Sequence, residues 1–295
     1  MNVSEMEDLT KSEYEKYITV DGMKIRYLVR GAGSPVLLLH GYAHFLETWD
    51  FNLRPLSEHY QVYAVDLPGH GLSDKPEVAY NLSFFTRFVI NFMQALGIEH
   101  ASLIGHSMGG LISLNVVINF PEKVDRLVLE TSAGLSHDVS LLHRMCSMPV
   151  LGSADTKESP IKTALGQRMK REFYNPDFVA KEIVDLSYQF MQQMPETRRV
   201  LLSILHHSVT ADGLRPEVVM VDRLHLVKSP ALLIHGAQDA IHPPELSQNA
   251  CRLIPNARLK VIDQCGHCPH IEKAAEFNEA VISFLEANEP GYLSA

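Results

Sequence analysis

The residues best suited to chemistry lie in the segment Gly105-His106-Ser107-Met108-Gly109-Gly110, which contains the pattern G-x-S-x-G. An apolar run that predicts a strand ends at Ile104, and a helical pattern begins at Met108. A serine on so tight a turn between a strand and a helix is strained and exposes its hydroxyl. Small flanking residues suit this turn, because a Cβ there would collide with neighbouring backbone. The segment therefore predicts a nucleophilic Ser107.

A serine hydroxyl needs a base, and the base needs a carboxylate that orients it. His267 follows the predicted strand that ends at Ile262, and Asp239 follows the one that ends at His235. Both therefore lie in loops at the same sheet edge as Ser107, in the chain order Ser, Asp, His. We expect these three residues to form a catalytic triad. Three other acids are weaker candidates for the orienting carboxylate: Asp66, Asp263 and Glu272.

The segment His40-Gly41-Tyr42 follows another predicted strand and is a candidate for binding an oxyanion. The backbone N–H groups of Tyr42 and Met108 are the expected donors. Histidines beside glycines in turns often bond only to local backbone, and Trp49 fits a core position equally well. With those alternatives open, the residues expected to line the substrate pocket are His40, Gly41, His106, Trp49, Met145 and Met148.

The motif Cys265-Gly-His-Cys268 suggests a different chemistry, because it resembles a redox motif and, with His270, a zinc cluster. A redox site of that kind opens a helix early in a small fold, whereas this motif follows the last predicted strand. Zinc on His267 would also remove the base. We therefore expect no bound metal and treat the cysteines as packing residues. A reversible Cys265–Cys268 link that inactivates His267 stays a secondary hypothesis.

The elements that must position these residues alternate between strand and helix. The segment ITVDGMKIRYLV predicts a hairpin with an Asp21-Gly22 turn. Short runs that are apolar on both faces then alternate with helical stretches, which is typical of βαβ units in a mostly parallel sheet. The predicted strands after the hairpin cover Val36–Leu39, Val62–Val65, Ala101–Ile104, Val124–Leu129, Ala231–His235 and Ala257–Ile262, and the clearest helices cover Leu82–Leu96 and Met108–Asn119.

The alternation stops near Gly134 and returns near Pro230. Helical stretches and six of the eleven methionines occupy the interval. We divide the chain into an N-terminal extension (1–17), an α/β core (18–133 and 228–295) and an inserted helical cap (134–227). The methionines either form an adaptable apolar pocket or pack the helices of the cap against the sheet. Both interpretations stay open.

Composition excludes several classes of partner. The 295 residues include 26 Lys and Arg against 35 Asp and Glu, a formal net charge of −9. This charge disfavours nucleic acid and anionic membranes. No apolar run is long enough to span a membrane, and the polar, acidic N-terminal segment is unlike a secretory signal, so we expect a cytoplasmic protein. Four cysteines do not make a disulfide framework.

Taken together, these motifs resemble those of the α/β-hydrolases over residues 18–290. The resemblance rests on LLLHG at 37–41, DLPGHGLSD at 66–74, GHSMGG at 105–110, HGAQD at 235–239 and CGHCPH at 265–270. It implies a lid inserted after the sixth strand, where the helical block lies. Epoxide hydrolases and haloalkane dehalogenases of this group carry aspartate in place of Ser107. C–C bond hydrolases usually have a glycine- and proline-rich oxyanion loop, and tryptophan where this chain has Cys268.

The resemblance and the residues together predict a serine hydrolase that cleaves small apolar carboxylic esters through an acyl-enzyme, without a cofactor. A C–C bond hydrolase or a perhydrolase that uses the same triad is the alternative among enzymes. A small-molecule receptor of the same fold is the alternative outside enzymes. The sequence does not indicate an oligomeric state.

Overall fold

One sheet of eight strands forms the centre of the fold in the computed structural model, which describes residues 14–136, 170–175, 195–210 and 213–287. The spatial order of the strands is β1-β2-β4-β3-β5-β6-β7-β8. The first two are antiparallel to their neighbours, and all later pairs are parallel. The strands are β1 (Glu15–Val20), β2 (Met23–Arg30), β3 (Pro35–Leu39), β4 (Gln61–Val65), β5 (Ala101–His106), β6 (Val124–Glu130), β7 (Ala231–Gly236) and β8 (Ala257–Ile262).

The sheet confirms the predicted mostly parallel α/β architecture. Asp21 and Gly22 both have positive φ (50° and 79°), as the predicted tight hairpin turn between β1 and β2 requires. β1 begins at Glu15, earlier than the boundary expected at residue 18, because Glu15 and the residues after it pair with β2.

Helices cover both faces of the sheet, which explains why the central strands are apolar throughout. Leu37 and Leu39 of β3 face one hydrophobic cluster, and Val36 and Leu38 face the other. Complete burial of one such side chain contributes about 1.5–3 kcal/mol. The helices whose bounds lie within the described residues are α1 (Asp50–Ser57), α2 (Leu82–Ala95), α3 (Met108–Asn119), α4 (Pro195–Ser208), α5 (Glu245–Leu253), α6 (Pro269–Glu272) and α7 (Ala274–Glu286), and short 3₁₀ turns cover Leu46–Trp49, Pro121–Lys123, Pro216–Val218 and Val221–Leu226.

Within the block expected to form a cap, α4 is the longest described element, and it is held against the core. The Arg199 guanidinium donates hydrogen bonds to the carbonyl oxygens of Lys75 (2.8 Å) and Pro76 (3.3 Å). Met220 is buried in the core cluster, as the packing interpretation of the methionines predicts for that residue. The other five, Met145, Met148, Met169, Met191 and Met194, lie outside the described residues.

None of the helices in the described part of the chain combines the length and the hydrophobicity that crossing a membrane requires.

Candidate active site

Ser107 stands between β5 and α3 in a strained backbone conformation, with φ 51° and ψ −110°. Its N–H donates to the Glu130 carbonyl oxygen (2.9 Å), which fixes the turn to the end of β6. A Cβ on Gly105 would collide with the backbone of Gly109, and one on Gly109 would collide with Leu39. Close backbone packing therefore requires glycine at both positions, and the strained φ and ψ angles fall on Ser107 between them.

His267 and Asp239 form a buried hydrogen-bonded pair in which Nδ1 of the imidazole donates to Oδ2 of the carboxylate at 2.7 Å. The other oxygen of Asp239 accepts from the N–H groups of Ile241 (2.7 Å) and His242 (3.0 Å). The loop after β7 thus holds the carboxylate in place. The hydrogen bonds among the described residues do not include one between Ser107 and His267.

The pair perturbs the pKa values of both partners. Burial alone would lower the pKa of His267, but the Asp239 carboxylate and the hydrogen bond to it raise this pKa above its ordinary value. Burial alone would raise the pKa of Asp239, but the charge of His267 and hydrogen bonds from His235 and His267 hold it far below its usual range. Asp239 is therefore ionised wherever His267 titrates.

The three weaker candidates for the orienting acid are bound elsewhere. Asp66 is fully buried, accepts from the N–H groups of Leu46 and Leu72 (2.9 Å each) and pairs with Arg26. Asp263 accepts from the Gln238 side chain.

The third candidate, Glu272, binds backbone. Its carboxylate accepts from the N–H groups of Gly266 (2.7 Å), Tyr174 (3.1 Å) and Asn175 (2.7 Å). Asp239 is thus the one carboxylate of the four candidates that is hydrogen-bonded to the His267 ring.

A cavity of about 400 Å³ opens over Ser107 between α3, α4 and the loops after β6 and β7. Its described lining is mostly apolar and contains no Asp, Glu, Lys or Arg. The lining residues are Tyr42, Ser107, Met108, Leu111, Ser132, Ala133, Gly134, Leu135, Ser136, Ile204, Leu205, Ser208, Leu214, Val218, Ile241, His242, Pro243 and Leu246. A neutral, largely apolar molecule suits this surface.

Tyr42 and Met108, the two residues expected to bind an oxyanion, both line this cavity beside Ser107. The N–H of Met108 lies in the first turn of α3, where backbone N–H groups have no partner within the helix. A Cβ on Gly41 would lie 2.7 Å from His106 Nδ1 and 3.3 Å from Ser107 Cβ, so glycine there allows the loop to approach the elbow. The Tyr42 hydroxyl donates to the Leu201 carbonyl oxygen of α4 (3.3 Å).

Three of the residues expected to line the pocket do not line the cavity over Ser107. His40 is fully buried, donates from Nδ1 to Gly41 O (2.8 Å) and accepts at Nε2 from the N–H of Leu67 (3.1 Å). His106 is buried and its Nε2 donates to the carbonyl oxygen of His267 (3.0 Å).

Trp49 is the third expected pocket residue that does not line the cavity. It is fully buried in the core, where its ring centroid lies 4.3 Å from the ring centroid of His270 and 6.3 Å from that of Phe277. Gly41 borders the elbow rather than the cavity, and Met145 and Met148 lie outside the described residues.

Cys265 and Cys268 are both buried free thiols in the structure, and burial raises the pKa of each. His267 is bound to Asp239, and His270 donates from Nδ1 to Glu130 (2.8 Å), so the four residues do not form a zinc cluster. The reversible link between the two thiols stays a hypothesis.

A different group of potential metal ligands lies beside the site: His44, Glu172 and Cys268 have ligand atoms within 4.8 Å of one another. His44 Nε2 lies 3.2 Å from a Glu172 oxygen, and Cys268 is a high-pKa thiol. We therefore interpret the group as a buried hydrogen-bonded pair, His44 and Glu172, beside the protonated thiol of Cys268.

Sequence reasoning missed His242, which lines the cavity next to the His267 ring. Its position three residues after Asp239, in the same loop at the sheet edge of the candidate triad, is a signal that could have indicated a place in the site. It also missed Thr131, whose hydroxyl donates to the carbonyl oxygen of His267 (2.9 Å), and Glu172, whose carbonyl oxygen accepts from the N–H of His267.

Comparisons with known proteins agree with this fold. A profile of the alpha/beta hydrolase family matches residues 36–280. The dihydrolipoyllysine-residue acetyltransferase component of the acetoin cleaving system of Cupriavidus necator is 30% identical over 266 residues, which cover 89% of this chain and 67% of that protein.

Two further similar proteins are hydrolases by name. The 2-hydroxy-6-oxo-6-(2'-aminophenyl)hexa-2,4-dienoic acid hydrolase of Metapseudomonas resinovorans is 28% identical over 286 residues, covering 95% of this chain and 94% of that protein. The solved structure of the meta-cleavage product hydrolase CumD of Pseudomonas fluorescens is 26% identical, with a TM-score of 0.74 and coverage of 93% and 98%.

Proposed function

The chain belongs to the alpha/beta hydrolase family, and we propose that within this family it is a serine hydrolase that cleaves carboxylic esters through an acyl-enzyme. The observation that carries the proposal is the buried Asp239–His267 pair at the sheet edge that also holds the strained Ser107. These are the side chains that acyl transfer needs: a nucleophile, a base and a group that orients the base.

In the proposed reaction the Ser107 oxygen attacks the ester carbonyl carbon while His267 Nε2 accepts the hydroxyl proton. Because Nδ1–H of His267 donates a hydrogen bond to the Asp239 carboxylate, the free lone pair of the neutral imidazole is on Nε2, where the base needs it. The hydrogen bond between Ser107 and His267 forms with substrate in place, as is common for catalytic contacts that are loose in the free enzyme.

The tetrahedral intermediate then carries a negative oxygen, which the N–H groups of Tyr42 and Met108 bind. Each such donor is worth about 3–4 kcal/mol of transition-state stabilisation. His267 returns its proton to the leaving alcohol, and a water molecule activated by His267 releases the acid from Ser107. In this proposal the inserted block 134–227, which the sequence predicts to be helical, serves as a cap over the cavity.

A C–C bond hydrolase is the second candidate, and it is supported by the similarity to enzymes named for dienoic acids. Such a substrate carries a carboxylate, which a cation normally binds. The described lining of the cavity has no Lys or Arg, and this favours a neutral ester.

The deciding experiment offers the purified protein a series of p-nitrophenyl esters and, separately, 2-hydroxy-6-oxo-6-phenylhexa-2,4-dienoate. We expect ester cleavage that Ser107→Ala abolishes without a change in the circular dichroism spectrum, and a fluorophosphonate label on Ser107. A higher kcat/KM for the dienoate than for every ester would favour the second candidate. A Ser107 that takes no label, in a protein without turnover, would instead indicate a receptor.

A further inference from the structure

His242 lies at the wall of the cavity, where hydrogen bonds of its own backbone hold it. Its N–H donates to Asp239 Oδ1 (3.0 Å), and its carbonyl oxygen accepts from His235 Nε2 (2.9 Å). The same carboxylate therefore fixes His242 and, through its other oxygen, His267. The two imidazole rings lie edge to face, with centroids 5.0 Å apart.

The tautomer of His242 is fixed by a second contact. Nδ1 lies 3.0 Å from the carbonyl oxygen of Thr131, which can only accept, so Nδ1 carries the proton. In a neutral imidazole the other nitrogen, Nε2, is then an acceptor. Burial, together with the nearby charge of His267, lowers the pKa of His242 to about 4, which keeps the ring neutral at pH 7. Nε2 forms no hydrogen bond with any residue that the structure describes.

The position of the His242 ring, at the cavity wall beside the His267 ring, indicates which part of a substrate meets it. In the proposed reaction, which this inference rests on, His267 gives its proton to the leaving oxygen and therefore lies within about 3 Å of it. The alcohol half of the ester thus passes the side of the cavity where His242 lies. Since each hydrogen bond spans about 2.8 Å, two imidazoles this close can contact two oxygens on neighbouring carbon atoms.

We propose that His242 is a specificity-determining residue that accepts a hydrogen bond from a free hydroxyl on the alcohol half of the ester, next to the ester oxygen. The substrates are then monoesters of vicinal diols, whose second hydroxyl donates to Nε2 of His242. An alcohol half with an ether or a carboxylate at that place is rejected, because it presents a second acceptor to the lone pair. An alkyl group at that place leaves Nε2 desolvated without a partner.

The test compares three hexanoate esters of nearly equal size: 2-hydroxyethyl, n-propyl and 2-methoxyethyl. For the unaltered protein we expect kcat/KM for the hydroxyethyl ester to exceed that for each of the others by about tenfold or more. In His242→Phe, which keeps a ring and removes both nitrogens, the ratio of kcat/KM for the hydroxyethyl ester to kcat/KM for the propyl ester should fall to about one. His100→Phe is the matched control, because His100 is exposed and remote from the cavity, and it should keep the full ratio.

The ratio separates recognition from a merely structural role, since a misplaced loop lowers kcat/KM for all three esters together. If the unaltered protein cleaves the hydroxyethyl and propyl esters equally well, the inference is wrong and the proposed function stands. If it cleaves none of these or the p-nitrophenyl esters, the proposed function fails as well. Should His242→Phe not fold, the preference of the unaltered protein for hydroxyethyl over methoxyethyl decides.

Discussion

The N–H of His267 donates a hydrogen bond of 2.6 Å to the carbonyl oxygen of Glu172, a residue of the described segment 170–175. A Cβ on the neighbouring Gly266 would lie 2.5 Å from that oxygen and 2.8 Å from the N–H nitrogen of Tyr174. Glu272 joins the same two segments, because it accepts from Gly266, Tyr174 and Asn175. The loop that carries the candidate base is therefore held from the side of the inserted block.

The first prediction concerns Glu272, which we expect to act as a positioning residue. Glu272→Ala removes the acceptor for three backbone N–H groups, so the His267 loop and the segment 170–175 should separate. We expect kcat for a p-nitrophenyl ester to fall about tenfold, with a loss of about 1–2 kcal/mol in the free energy of unfolding. Urea unfolding and steady-state kinetics measure the two effects.

A matched control for that substitution is Glu276→Ala. Glu276 pairs with Lys260 at the surface, where both side chains are more than two-fifths exposed (43% and 44%), so its removal should change kcat and stability little. Equal effects of the two substitutions would contradict the positioning role of Glu272.

The second prediction is a pH dependence. His267 acts as a base only when neutral, and its pKa is raised, so kcat/KM should rise with pH through a midpoint above the ordinary histidine value of about 6.5. Asp239→Asn should lower kcat about 10⁴-fold, because the tautomer is no longer fixed. It should also move the midpoint to lower pH, since burial is then opposed only by the smaller effects of Glu172 and Glu130. A pH–rate profile of both proteins tests this, and an unshifted midpoint would argue against the pairing.

The meeting of Asp239 and His267 follows from the sequence, because residues after neighbouring parallel strands must come together at one sheet edge. The places of His40, His106 and Trp49 do not follow from it. The burial of a side chain beside a turn depends on which way the local backbone directs it. The 3₁₀ turn Leu46–Trp49, for example, ends with the indole in the core.

The contacts of Glu172 were equally beyond sequence reasoning. Its partner His267 is far along the chain, and no periodic pattern marks the segment 170–175. The packing of this short segment against a loop is a tertiary contact without a local signal.

The third prediction separates the backbone of Tyr42 from its side chain. Tyr42→Phe removes the hydroxyl that bonds to Leu201 O but keeps the N–H expected to bind the oxyanion. We expect kcat/KM to change less than about threefold, whereas Tyr42→Pro, which lacks the N–H, should lose about 10²–10³-fold in kcat. Thermal unfolding of both variants checks that the loop is intact. A loss in Tyr42→Phe as large as in Tyr42→Pro would assign the catalytic role to the phenol instead.

The last prediction concerns the acyl chain that the cavity accepts. Ile204 lies on α4 and is buried where it lines the cavity of about 400 Å³. Ile204→Trp adds side-chain volume inside a mostly apolar cavity, so long acyl chains should lose affinity while short ones keep it. Across p-nitrophenyl acetate to decanoate, we expect the optimum of kcat/KM to move to shorter chains, with acetate changed less than about threefold. Leu226→Trp, at an exposed position outside the lining, should leave the profile unchanged. If Ile204→Trp lowers kcat/KM equally for all lengths, the acyl chain does not occupy this cavity, and the entrance used by substrate lies elsewhere.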